Sequence, residues 1–136
     1  MSVDGQIVGQ IGRGLLTLLG VAAGDGAADI EYIAAKIHEL RIFPDDQGRM
    51  NRSVVEAGGG VLLVSQFTLL GDVRNGRRPG FSSAAPPADA KRDYDALTDR
   101  LKGMGLPVET GVFQADMQVA LVNDGPVTIL LDSRRT

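Results

Sequence analysis

The chain has 136 residues, the usual size of one domain, and its 43% hydrophobic and 23% charged content is that of an ordinary soluble globular protein. The absence of cysteine and the single histidine, His38, exclude a disulfide framework, thiolate catalysis and Cys- or His-rich metal sites. A net charge of −3 and 4% aromatic content without tryptophan argue against a non-specific nucleic-acid coat and extended base-stacking surfaces, but leave room for a local basic patch meeting one RNA end.

At the N-terminus, "MSVDGQIVGQ" lacks the basic and apolar regions of a signal peptide. No later run approaches the roughly 18 apolar residues of a membrane span. A cytoplasmic protein is therefore expected. "GQIVGQIGRG" predicts a short strand pair or a strand and turn, punctuated by Gly9, Gly12 and Gly14. "LLTLLGV", Leu15 to Val21, is apolar on both faces and short, as a strand buried inside a sheet should be. A helix follows: Ile30, Ile33, Ala34, Ile37 and Leu40 make one stripe, Asp25 or Asp29 lies near its start, and Phe43-Pro44 stops it. "PDDQGRMN" is a polar turn, and "VLLVSQFTLL", Val61 to Leu70, a second buried strand.

"GDVRNGRRPGFSSAAPP" is a long irregular connection, a type of segment that often carries function. A second helix is expected from Pro87 to Lys102, with Pro87 in its first turn, Gly103 at its exit and Ala90, Tyr94, Leu97 and Leu101 as its buried stripe. Met117 to Val122 and Val127 to Leu131 read as the last two strands, joined by the turn "NDGP". The sum is one α/β (α+β) domain over residues 1–136: a mixed, largely antiparallel, barrel-like sheet packed with two main helices.

Few residues suggest chemistry by themselves. His38, beside the apolar stripe, reads as a partly exposed structural residue, because a triad base needs an orienting acid and a nearby nucleophile, and no G-x-S-x-G elbow is present. Asp45, Asp46 and Glu56 lack the ligand spacing of a calcium or magnesium site and read as solvated surface. Gly58 to Gly60 precede a strand, so they form a turn and neither a dinucleotide fingerprint nor a P-loop. Arg74, Arg77 and Arg78 are either a solvated charge cluster or a phosphate contact. Ser65, Gln66 and Thr68 sit where a buried strand ends, as residues lining a ligand crevice or as half-buried strand residues with no further task.

Taken together, segments from about Ser2 to Leu131 closely resemble the D-aminoacyl-tRNA deacylases, also called D-tyrosyl-tRNA deacylases. They are "GLLTLLGV", "RIFPDDQGRMNRSV", "VLLVSQFTL", "GRRPGFSSAAPP" and "GVFQADMQVALVNDGPVT". Two are signatures of that family: Ser-Gln-Phe-Thr at Ser65 to Thr68, and Asn-x-Gly-Pro-x-Thr at Asn123 to Thr128. The resemblance implies a carboxylic ester hydrolase that removes D-amino acids from the 3′ end of aminoacyl-tRNA, a proofreading step in translation. It also implies a homodimer with its active sites at the interface, and neither metal nor other cofactor.

In that family the Gly-Pro bond is cis and enters the pocket of the other subunit. Here that implies Gly125-Pro126 facing the catalytic positions Ser65, Gln66, Phe67 and Thr68 of a second copy. Asn123, Met117 and Ala115 then join Gly125 and Pro126 as substrate-binding positions, and Arg74, Arg77 and Arg78 contact the tRNA. Backbone N–H groups near Phe67 and Thr68 would stabilise the developing oxyanion. Thr68 is expected to position rather than attack, because no general base is visible to activate it. A rigid Gly-Pro turn would reject an L side chain by steric collision, and glycyl-tRNA, with no side chain to reject, would be cleaved to some degree. The alternatives are a relaxed-specificity editing deacylase of other mischarged tRNAs and a non-catalytic dimer binding a tRNA end or a small ligand. One departure stands out: the family's first strand, with a Gln-Arg-Val step, has no counterpart before "SVDGQ". The sheet is expected to lack that strand, through a late-assigned chain start or a lost edge.

Overall fold

The computed structural model describes residues 1–134. At its centre is the strand Gly60–Ser65, in which Val61, Leu62, Leu63 and Val64 are all buried. It pairs in parallel with Gly14–Leu19 on one side and with Val108–Thr110 on the other. A parallel neighbour requires a long crossover. The helix Ala27–Glu39 (α1) lies between the first two of these strands in the chain, and the helix Pro87–Gly103 (α2) between the second and third. In chain order the strands are β1 (Ser2–Val3), β2 (Gln6–Ile7), β3 (Gly14–Leu19), β4 (Phe43–Pro44), β5 (Met50–Arg52), β6 (Gly60–Ser65) and β7 (Val108–Thr110).

The two helices pack on each other and on the central sheet. Ala34 and Ile37 of α1, Tyr94, Leu97 and Leu101 of α2, and Val61 and Leu63 of β6 form one buried cluster with Phe43, Val54 and Leu106. The stripes expected on both helices are therefore the ones buried, with Ala90 at the edge. Tyr94 also ties α2 to the sheet, its hydroxyl donating to the Leu63 carbonyl at 2.6 Å. Burial pushes this phenol above its ordinary range. At the start of α1 the carboxylate of Asp29 reaches back to accept the Gly26 N–H at 2.9 Å. Pro87 opens α2, where its missing N–H costs nothing.

Three expectations are corrected. The sheet is mixed in direction, but its central part is parallel, and the antiparallel strand pairs are the ribbons β1/β2 and β4/β5, with isolated antiparallel bridges at Ser2/Gln118, Ala22/Ala84 and Asp72/Gly80. The reason is connectivity: both links to β6 hold a helix, and apolar periodicity carries no strand direction. The order β3-β6-β7 leaves two edges, so the described residues do not close into a barrel. Second, the strand expected to run to Leu70 ends at Ser65, and Phe67–Leu70 is a 3-10 turn. β3 ends level with Ser65, so beyond the bond from Gln66 N to Leu19 O no ladder remains to extend.

Third, Met117 to Val122 and Val127 to Leu131 form no strand. Gln118 exchanges two 2.9 Å backbone bonds with Ser2, and among the described residues 119–131 make no further backbone-to-backbone bond. A cavity of about 1680 Å³, lined by β3, by Ile30, Ile33 and Ile37 of α1 and by residues 119–134, lies between this run and the sheet. The run is a strap held at its far end to α1. Ser133 Oγ donates to Asp29 at 2.7 Å, and Arg134 bonds the Ala23 carbonyl and the Asp25 carboxylate, each at 3.1 Å.

This packing can be tested at two places. A Cβ on Gly14 would run into the Gly60 carbonyl, a backbone group that cannot swing away, whereas Gly12 faces open space. Gly14→Ala should cost about 1–3 kcal/mol or more by overpacking, and Gly12→Ala should leave thermal melting nearly unchanged. Equal melting temperatures for the two variants would contradict this packing. The carboxyl of Asp29 is held below its ordinary range chiefly by the Gly26 N–H and next by the Ser133 hydroxyl. A depressed folded pKa gives stability that is complete above the unfolded value and lost as pH falls through the folded one. The melting temperatures of wild type and Asp29→Asn should therefore differ at neutral pH and converge below about pH 4. A gap independent of pH would contradict the tether.

Candidate functional site

The end of β6 delivers Ser65 to Thr68 to one corner of the sheet. Gln66 N donates to Leu19 O at 2.7 Å, which locks the corner to β3. The following turn rests directly on Gly20, where a Cβ would come within 2.5 Å of Leu70 and 3.1 Å of Leu69. The Gln66 carboxamide Nε2 donates to Thr68 Oγ1 at 2.5 Å, so the Thr68 hydroxyl keeps its own proton free to donate outward. Phe67, Thr68 and Leu69 are exposed. The N–H groups of Phe67 and Thr68 lead the 3-10 turn, and neither meets a backbone carbonyl among the described residues. Two amides and one hydroxyl donor at an exposed corner suit an oxygen that gathers negative charge.

Phe81 stands edge-on to Phe67, with ring centroids 5.0 Å apart and planes at 66°. Neither Phe81 nor Gly20 stands out in the sequence. The signal available for Phe81 is its place in "RRPGF", and Gly20 carries none until β3 and the turn are seen to touch.

The arginine loop folds over the same corner. Asp72 and Gly80 exchange backbone bonds of 2.7 and 2.8 Å, closing the loop's neck. The Asp72 carboxylate takes the Arg74 guanidinium in two bonds, 2.9 Å from Nε and 2.7 Å from Nη2, as well as the Arg74 N–H. This pairing holds the Asp72 carboxyl below its usual range and raises Arg74 further. Arg74 is thus paired within its own loop although its side chain stays exposed, while Arg77 and Arg78 are exposed and have no hydrogen-bond or ion-pair partner among the described residues.

The other predicted residues lie on and before the strap. Ala115 and Met117 are half-buried, and Ala115 N donates to Val112 O at 3.1 Å. Asn123, Asp124, Gly125 and Pro126 are exposed, and the Gly125-Pro126 bond is cis. Gly125 has φ +132°, and a Cβ there would lie 2.9 Å from Val127 Cγ2. Asn123 is turned onto its own loop: Oδ1 accepts the Val127 N–H and Nδ2 donates to Thr128 Oγ1, both at 3.0 Å. Residues 123–128 line the large cavity together with Leu69 and Leu70, but Ser65 to Thr68 do not line it. Within one chain the two signature segments do not share a pocket.

The remaining candidates are structural. Asp45 caps its turn, accepting from Gln47 N and Arg49 N, and Asp46 pairs with Arg52 at 2.7 Å. Glu56 and Ser53 exchange side-chain-to-backbone bonds. Gly58 has φ +72°, as a turn glycine should. His38 is half-buried on α1. Among the described residues no three His, Cys, Asp or Glu side chains group as metal ligands, and no helix is long and apolar enough to cross a membrane.

Known proteins share this geometry and much of the sequence behind it. Residues 1–132 match the family model described as D-Tyr-tRNA(Tyr) deacylase. A protein of Anaeromyxobacter dehalogenans named D-aminoacyl-tRNA deacylase is 65% identical over 133 residues, covering 98% of this chain and 89% of that protein. One of Symbiobacterium thermophilum with the same name is 57% identical over 136 residues, 100% of this chain and 90% of its own. Among solved structures, the c-Myc DNA Unwinding Element Binding Protein superposes with a TM-score of 0.90 at 38% identity, over 96% of this chain and 89% of that one. A probable eukaryotic D-amino acid tRNA deacylase shares the fold, with a TM-score of 0.62 at 16% identity over 78% of this chain and 77% of its own.

Proposed function

The chain belongs to the D-Tyr-tRNA(Tyr) deacylase family, and from that membership we propose that it hydrolyses the ester bond of D-aminoacyl-tRNA, releasing the free D-amino acid and the tRNA. The observation that carries this reading is the family match over residues 1–132, together with relatives named D-aminoacyl-tRNA deacylase at 65% and 57% identity. Residues 1–136 are taken as one deacylase domain, working on tRNA in the cytoplasm.

The chemistry asks little of the protein, because an aminoacyl ester is already reactive. Water adds to the ester carbonyl, the oxyanion that forms is met by the N–H groups of Phe67 and Thr68, and the acyl–oxygen bond breaks to return the 3′-hydroxyl of the tRNA. Thr68 positions rather than attacks: its oxygen accepts from Gln66, and no side-chain base among the described residues stands beside it to remove its proton. The 2′-hydroxyl of the terminal ribose helps to place the water. No metal or other cofactor enters this scheme.

Two copies complete the site. Asn123 to Thr128 of one chain do not share a cavity with Ser65 to Thr68 of the same chain. The strap exposes Val122 at 89% and Leu130 at 91%, and the corner exposes Phe67 and Leu69, apolar surface that a second copy would cover. In the dimer the Gly125-Pro126 backbone faces the α-carbon of the amino acid, beside Ala115 and Met117. An L side chain meets that backbone and a D side chain points away, so selection works by exclusion. Glycyl-tRNA, which has nothing to exclude, is cleaved as well.

Paired D- and L-tyrosyl-tRNA deacylation assays test the proposal. D-tyrosyl-tRNA should be hydrolysed at protein concentrations that leave L-tyrosyl-tRNA intact; equal hydrolysis of both, or none of either, would refute it. The exposed Arg77 and Arg78 are the better phosphate contacts, with Arg74 ordering their loop. Replacing both by Gln should weaken tRNA binding and flatten its dependence on log salt by roughly 1 for each phosphate no longer neutralised. An unchanged slope would remove this loop from the tRNA surface.

A further inference from the structure

Residues 119–131 of the strap make no backbone-to-backbone bond among the described residues, so no ladder holds the shape of this exposed run. The turn that must face substrate sits in its middle. One side chain reaches across that turn and engages both kinds of polar group beyond it: Asn123, whose Oδ1 accepts from Val127 N and whose Nδ2 donates to Thr128 Oγ1.

We infer that Asn123 is not a substrate contact but a positioning residue, and that its clasp on Val127 and Thr128 sets the chiral selectivity of the enzyme. This rests on the deacylase reading of the Gly125-Pro126 turn given above. The clasp spans the turn from Asn123 to Val127 and closes it in place of the missing ladder. It also fixes the residue next to the bend: Val127 has its N–H bound to Asn123, and its Cγ2 stands 2.9 Å from where a Cβ on Gly125 would fall. Gly125 has φ +132°, outside what other residues adopt readily, so the bend is set at two points, the glycine backbone and the Val127 amide.

A carboxamide suits the task because it offers an acceptor and a donor at a fixed separation on a short stem. A carboxylate can replace it in part: it still accepts the Val127 N–H, and the Thr128 hydroxyl can rotate to donate. Alanine can do neither. Exclusion of an L side chain depends on where a backbone atom lies, so a displacement of about 1 Å in the turn is enough to cost discrimination of up to about a hundredfold.

The test uses the full chain in two measurements on Asn123→Ala, Asn123→Asp and Thr128→Val. The first is solvent exchange of the Val127 amide by NMR, which needs no activity. The second is the ratio of D- to L-tyrosyl-tRNA hydrolysis. Asn123→Ala should speed Val127 exchange and lower the ratio by about tenfold or more, with Thr128→Val intermediate. Asn123→Asp should restore protection and most of the ratio, a rescue that simple loss of folding would not give. An unchanged Val127 exchange rate in Asn123→Ala overturns the clasp, and faster exchange with an unchanged ratio overturns its role in selectivity. If wild type leaves D-tyrosyl-tRNA intact, the deacylase reading fails and takes the selectivity role with it, and Val127 exchange still reports separately whether the clasp exists.

Discussion

Everything in this fold answers to the burial of β6. Val61 to Val64 carry their amides and carbonyls out of water, and buried backbone groups must be paired. β3 and β7 supply the partners, and α1 and α2 are the crossovers that parallel pairing requires. The same constraint builds the site. β3 and β6 end at the same level, so the chain leaves the ladder at Gln66 with one last bond to Leu19 and coils at once into an exposed turn. The amides of Phe67 and Thr68 meet no backbone carbonyl among the described residues because the ladder stops there. A corner that can receive a negative oxygen is what remains when a buried strand runs out of neighbours.

Around that corner the charges are sorted by their partners. Asp72 takes Arg74 and keeps the loop's neck in order, which leaves Arg77 and Arg78 as outward cations. A net charge of −3 and a basic patch are compatible because the patch is two side chains on one loop. Along the large cavity the strap is organised by side chains: Asn123 in its middle, Ser133 and Arg134 at its end.

Much of this was legible in the residues. The stripes Ile30-Ile33-Ala34-Ile37 and Tyr94-Leu97-Leu101 named two helices and their buried faces, because a 3.6-residue period has no competing reading over such lengths. Val61 to Val64 announced a buried strand by being apolar on both faces, whereas Leu15 to Leu19, equally apolar, form an edge strand that is only half-buried, with Leu18 exposed. Strand direction was not legible, since it depends on what lies between strands, and a run such as "VSQFTLL" looks the same whether or not a neighbour is there to pair with it. For the same reason "MQVALV" and "VTILL" read as strands and yet form none. At the site, Ser65, Gln66 and Thr68 could be read only as polar residues where a strand ends and Asn123 to Pro126 only as a turn; their roles came through resemblance to a family. What resemblance could not convey is which way a side chain turns: Arg74 toward Asp72, Asn123 toward its own loop.

The strap's fastening has a consequence for how the molecule comes together and comes apart. Ser133 meets Asp29 across 104 residues of chain, and Arg134 meets Asp25 across 109. Contacts of such long range close late in folding, after the local contacts that make helices and the nearer strand pairs. They also bury little, so the strap can open as a unit of its own while β6 and the two helices stay shut. The chain therefore has two levels of opening, a cheap one at the strap and a costly one at the core, and a second copy that covers the strap would hold the cheaper one closed.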